Sequence, residues 1–140
     1  MVFFMAAFGF DRKDELYAFL KALIIFGFIL AIFGIIQKTT GTGKIYWLRE
    51  LSIDRSQPFS SFVNRNHFAG WLNMIIPFAL AYGFMARTVD KKIRYLFLAL
   101  AMAVVLVFTL SRGGIIAFFA GVFVFSAVAL AGRSSKKRLI

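Results

Sequence analysis

The chain contains no cysteine, which excludes a disulfide framework, a thiolate nucleophile and any cysteine-based metal site. It contains one histidine, His67, and a single imidazole cannot build a histidine-rich metal centre. No metal or other cofactor is expected. Charge is scarce: 16% of residues are charged, against about 25% in an average soluble domain. Nor is there an internal repeat, or the alternation of apolar and polar residues that marks a transmembrane β-strand. The apolar residues 1–10 lack the positively charged start of a signal peptide and are too short for a helical span of about 20 residues. They read as the tail of a helix that begins upstream or as an interfacial segment. The run Gly41-Thr42-Gly43-Lys44-Ile45 is not a phosphate-binding loop, because that motif needs a glycine where Lys38 stands and a hydroxyl residue where Ile45 stands.

Apolar side chains fill what charge leaves. They make up 61% of the 140 residues, 19 of them phenylalanine, and the mean hydropathy is +0.81. A water-soluble domain of this composition would expose large apolar patches and aggregate. The composition therefore predicts a single all-α, polytopic integral membrane domain, with about four spans near residues 16–36, 67–86, 93–110 and 115–131. Lys21 lies close to one end of the first span, where its stem can reach the headgroups. The connection 37–66 is polar, with Gly41, Gly43 and Pro58. Tyr46 and Trp47 within it suit an interface, and a short amphipathic helix is expected around residues 45–53.

The net charge is +11. The basic residues lie between apolar runs and not on one basic face, so they hold topology and do not bind nucleic acid. Most of the 17 lysines and arginines fall on the side shared by the N-terminus, the loop 87–94 and the C-terminus. The positive-inside rule makes that side cytoplasmic. The connection 37–66 and the break 111–114 then face outward, which is the periplasm in a Gram-negative cell.

Two motifs carry chemistry. In Thr109-Leu110-Ser111-Arg112-Gly113-Gly114, an arginine stands between two apolar runs, where it is costly unless paired or wet. Ser111 suits the N-cap of the following helix. The free N–H groups of Gly113 and its neighbours, with the Arg112 guanidinium, would make a site for phosphate. A plain turn with Arg112 on lipid headgroups is the alternative. The second motif is Phe62-Val63-Asn64-Arg65-Asn66-His67-Phe68-Ala69-Gly70-Trp71-Leu72, which leads polar residues directly into a span. Asn66 is a candidate cap. Asn64, Arg65, Asn66 and His67 are candidate site residues on the same side as Arg112, or else an interfacial anchor. Asn73 is placed to hydrogen-bond a neighbouring helix, and Pro77 to bend its own. Gly113, Ala117 and Gly121 form a small-residue stripe suited to close packing against another helix, in this chain or beyond it.

These two motifs, with a proline-bearing helix between them, resemble the O-antigen ligase and polymerase superfamily, polytopic bacterial proteins of cell-surface polysaccharide assembly. The resemblance covers about residues 60–121. It implies a glycosyltransferase of the bacterial inner membrane that moves a glycan from undecaprenyl pyrophosphate to an acceptor: lipid A-core for a ligase, another repeat for a polymerase, a protein for the third branch. Neither nucleotide sugar nor metal is implied. By this resemblance Arg112, with Ser111 and Gly113, would bind the donor pyrophosphate. The family has more spans, and a large external loop further on that carries other functional arginine and histidine residues. The expectation is accordingly a fragment of a longer protein, with the remaining helices as partners and no complete catalytic apparatus of its own. A transporter or flippase segment with an anion path along Arg65 and Arg112, or a structural subunit, is the other class of reading.

Overall fold

A computed structural model of the chain describes residues 13–40, 48 and 59–137. The expected N-terminal segment 1–10 and the glycine-lysine run 41–45 lie outside the described residues. So does the amphipathic helix near 45–53, save for Leu48, which is in a turn. Four helices are described: α1 (Lys13–Thr39), α2 (Arg65–Met85), α3 (Val89–Phe108) and α4 (Arg112–Lys137). Two of them, over Asp14–Thr39 and Arg65–Met85, are long and apolar enough to cross a membrane. In α3 the charges Asp90, Lys91, Lys92 and Arg94 are confined to the first turns, and the described apolar part of α4 is shorter, Arg112–Val128.

The helices begin and end where local chemistry allows. Asp14 and Glu15 open α1 and Lys38 closes it, charges that oppose the helix dipole at each end. The helix runs past residue 37, where the polar connection was expected to begin. Tertiary contacts account for the extension. Gln37 is buried, and the Lys38 ammonium donates to the Phe108 carbonyl on α3 at 2.7 Å. The Thr39 and Thr40 hydroxyls turn back onto carbonyls of the preceding turn. Short connections at 86–88 and 109–111 make α2, α3 and α4 run alternately up and down.

The most extensive packing is between α2 and α3; α1 lies chiefly on α3, and α4 on α2. The core between them holds Ile24 and Ala31 of α1, Phe68, Leu72, Ile75, Ile76 and Ala79 of α2, and Ala99, Met102 and Leu106 of α3, all at most 1% exposed. Much of the remaining apolar surface points outward on every helix, including Ile25, Ile29, Leu100, Phe119 and Phe123.

A tight turn precedes α2. Phe59 and Phe62 exchange backbone hydrogen bonds at 3.0 and 3.1 Å. Ser60 sits at φ 56°, fully buried, with its hydroxyl donating to the Leu30 carbonyl at 2.8 Å. The Phe59 ring occupies the space a side chain at Gly34 would need, since a Cβ there would lie 2.5 Å from Phe59 Cε1. This turn therefore fixes where the chain enters α2, against α1. One end of the bundle carries this turn, Lys38, Phe108 and Ser111. The other carries Tyr17, Tyr82 and Tyr95, where the Tyr82 hydroxyl donates to the Tyr17 carbonyl at 3.2 Å.

Candidate anion-binding cleft

The turn from α3 into α4 is built from side-chain hydroxyls. Leu110 adopts the left-handed conformation, φ 54°, which ends α3. The Thr109 hydroxyl donates to the Leu106 carbonyl at 2.6 Å and accepts from the Ser111 N–H at 3.2 Å. The Ser111 hydroxyl then accepts from the Gly114 N–H at 3.2 Å, and its carbonyl accepts from Ile115 N–H at 2.9 Å. Ser111 is thus the N-cap of α4, and it is 2% exposed. Arg112, Gly113 and Gly114 are helical, so the break expected over 111–114 is mostly the first turn of α4. That leaves the Arg112 and Gly113 N–H groups without a carbonyl one turn back, as at any helix start.

A leucine in left-handed backbone costs about 1 to 2 kcal/mol, and Leu110 is 60% exposed, so it recovers little by burial. Leu110→Gly is expected to raise stability by about 0.5 to 1 kcal/mol after glycine's greater unfolded-state freedom is counted. Thermal unfolding in detergent checks this, and a lowered midpoint would show that the leucine side chain matters more than the backbone strain.

The start of α4 lies directly on α2. A Cβ at Gly114 would stand 2.5 Å from the Ala69 Cβ, so only glycine permits this approach. The Asn73 amide Nδ2 donates to the Gly114 carbonyl at 2.9 Å, the interhelical bond expected of Asn73. Its Oδ1 is buried and accepts no hydrogen bond from the described residues. The close contact falls at Gly114 and not on the stripe Gly113, Ala117, Gly121. At Gly113 and Gly121 a Cβ would meet nothing within 4 Å, and Ala117 is exposed. Ala117 and Gly121 instead border a small gap between α4 and α2, lined from α2 by Asn73, Ile76, Pro77 and Leu80, so the two helices touch at Gly114 and stand apart farther along.

At the start of α2, Asn64 is the cap. It is extended, φ −120° and ψ 120°, and its side chain accepts from the Asn66 N–H at 2.8 Å. Asn66, expected to be the cap, is instead in the first turn of a helix that begins at Arg65. The Phe59–Phe62 turn delivers the chain early, so that Phe68 reaches the core.

A cleft of about 670 Å³ opens between these two helix starts. From α2 it is lined by Arg65, Asn66, Gly70 and Asn73, and from the α3–α4 turn and α4 by Leu110 to Gly114 and Ala117. Asn66, Gly70 and Asn73 are spaced to share one helix face. Gly70 and Gly113 leave space where a side chain would intrude. Arg112 is exposed and Arg65 half-buried, and among the described residues no carboxylate lines the cleft. Two arginines and the positive ends of two helices therefore border one cavity. Each feature favours an anion, and the planar guanidinium favours the paired oxygens of phosphate or carboxylate.

Of the residues singled out from sequence, the fold brings Ser111, Arg112, Gly113, Arg65 and Asn66 to this cleft. The Asn64 side chain serves as a cap at its edge, and His67 is exposed and not part of the lining. Gly70 and Asn73 belong to the cleft without having been picked out for it. Their spacing from Asn66 was the available signal. No family model, curated protein or solved structure matches the chain.

Proposed function

We propose that this chain is a four-span protein of the bacterial inner membrane and forms the donor-binding part of a glycosyltransferase similar to the O-antigen ligases and polymerases. In this reading the cleft faces the periplasm and holds the pyrophosphate of an undecaprenyl-linked glycan. The observation that carries the reading is the convergence of Arg65, Arg112 and the starts of α2 and α4 on one cavity. A pyrophosphate offers several anionic oxygens in a row, and the cavity offers matched donors from two helices. The outward apolar surface of every helix suits lipid. In α3 the charges lie in the first turns, where long side chains reach headgroups.

Transfer breaks the bond between the sugar's anomeric carbon and the pyrophosphate oxygen as the acceptor hydroxyl oxygen bonds that carbon and gives up its proton to water. Negative charge then builds on the departing pyrophosphate. Fixed guanidinium and N–H donors stabilise that charge more than the ground state, which is how they would contribute to rate.

The test replaces Arg112 with alanine and with lysine in the complete protein and measures glycan transfer in membranes where insertion is verified. Both variants are expected to lose most transfer, lysine included, because an ammonium does not reproduce the two-pronged guanidinium contact. Full transfer by both would reduce the motif to a helix turn and remove the mechanistic support for this function.

A further inference from the structure

On the other side of the molecule α1 and α3 enclose a second cavity of about 390 Å³. It shares none of the described residues with the cleft. Its floor includes Ala31 and Val105, both buried, with Ala101 half-buried. Its walls include Phe28 and Phe97, whose rings meet edge to face at 6.2 Å, and the exposed side chains of Ile32, Leu100 and Val104. Among the described residues no hydroxyl, amide or charged side chain lines it. From residue 28 to 36 of α1 it runs about 12 Å at the helical rise of 1.5 Å per residue, ending short of the bond between Lys38 and the Phe108 carbonyl.

Cations stand beyond the end of the trough where Phe28 meets Phe97. Arg94 lies one turn before Phe97 on the same face of α3, and Lys21 two turns before Phe28 on the same face of α1. Both are exposed, and both lie toward the starts of their helices, the positive ends of the dipoles. Asp90 lies one turn beyond Arg94, and Asp14 and Glu15 lie near the start of α1. The basic side nonetheless prevails there, because Arg87, Lys91 and Lys92 are exposed at the same end.

We infer that the groove seats one acyl chain of an anionic glycerophospholipid, whose phosphate rests on Arg94 and Lys21. Shape separates this occupant from a partner helix. Helices in membranes approach closely where small residues lie at the contact, whereas here a helix would meet the bulky, exposed Ile32, Phe97, Leu100 and Val104 first. Charge separates it from a neutral lipid. The inference rests on the membrane reading above, but not on the glycosyltransferase reading.

The experiment begins with carbonate washing of membranes containing the full chain. Release into the wash would refute the membrane reading itself. The retained chain is then purified in detergent and mixed with equal amounts of phosphatidylglycerol and phosphatidylcholine, and bound lipid is counted by native mass spectrometry. Preferential retention of phosphatidylglycerol is expected, falling by about fivefold for each cation removed in Lys21→Gln and Arg94→Gln. Arg94→Lys should keep the preference. Ala101→Leu, which fills the floor, should lower retention of both lipids while helicity by circular dichroism is unchanged. Equal retention of the two lipids by the unmodified chain overturns the inference, as does an Ala101→Leu chain that binds as before. A dimer that Ala101→Leu dissolves would also overturn it, by making the groove a protein contact.

Discussion

Replacing Arg65 and Arg112 together with glutamine is expected to abolish binding of inorganic pyrophosphate to the purified chain in detergent. Both arginines line the same cleft, and among the described residues no carboxylate does. A hydrogen bond to a charged group contributes about 1.5 to 3 kcal/mol, so each single replacement should weaken binding by roughly tenfold to a hundredfold. The two should differ in salt dependence. Arg112 is exposed and Arg65 half-buried, and exposed charges are screened more effectively. The Arg65→Gln chain, left with Arg112, should therefore lose affinity more steeply as salt rises. Titration calorimetry with pyrophosphate reads both effects. A doubly substituted chain that binds like the original would mean that the cleft is not an anion site.

The second large effect concerns the seating of α4. Gly114→Ala would place a Cβ 2.5 Å from the Ala69 Cβ and 3.1 Å from the Ser111 hydroxyl oxygen. Carbon atoms in contact prefer about 3.5 to 4.0 Å, so α4 must move away by more than an ångström at this point. That displacement would stretch the 2.9 Å bond from Asn73 to the Gly114 carbonyl and disturb the cap. Overpacking of this kind costs about 1 to 3 kcal/mol. Alanine's better helix propensity returns at most about 1 kcal/mol. A lower unfolding midpoint is expected, together with weaker pyrophosphate binding, since the cleft widens. The exchange Ala69→Gly with Gly114→Ala moves the methyl group from α2 to α4 and should restore much of both. If the exchange is no better than Gly114→Ala alone, the cost arises within α4 and not at its contact with α2.

Helix placement was legible in the chain because apolar runs of this length have few other uses. The starts and stops were less legible. Asn64 and Asn66 are equally good caps by type, and the choice between them depends on the Phe59–Phe62 turn, which is anchored through Ser60 to α1 thirty residues earlier. The end of α1 likewise depends on a bond from Lys38 to α3, seventy residues on. Ser111 was readable as a cap because its partners are local: the Gly114 N–H is three residues away. Asn73 was readable as a crossing group, since an amide inside an apolar run needs a partner on another helix. That its partner is the Gly114 carbonyl was not readable.

The close contact shows the same division. Spacing by four picked out Gly113, Ala117 and Gly121, a pattern internal to one helix. Which small residue meets a neighbour depends on where α4 crosses α2, and that crossing seats Gly114 on Ala69.

By itself, then, the sequence determined the all-helical class, the approximate helices and the cap at Ser111, because apolar runs and hydrogen bonds over a few residues act within one segment. The tertiary structure decided that Arg65 and Arg112 share a cleft, that Asn66, Gly70 and Asn73 line it while His67 does not, and that α1 and α3 leave a groove between them. Those outcomes depend on the relative rotation and register of packed helices, which arise only when distant side chains compete for the same space.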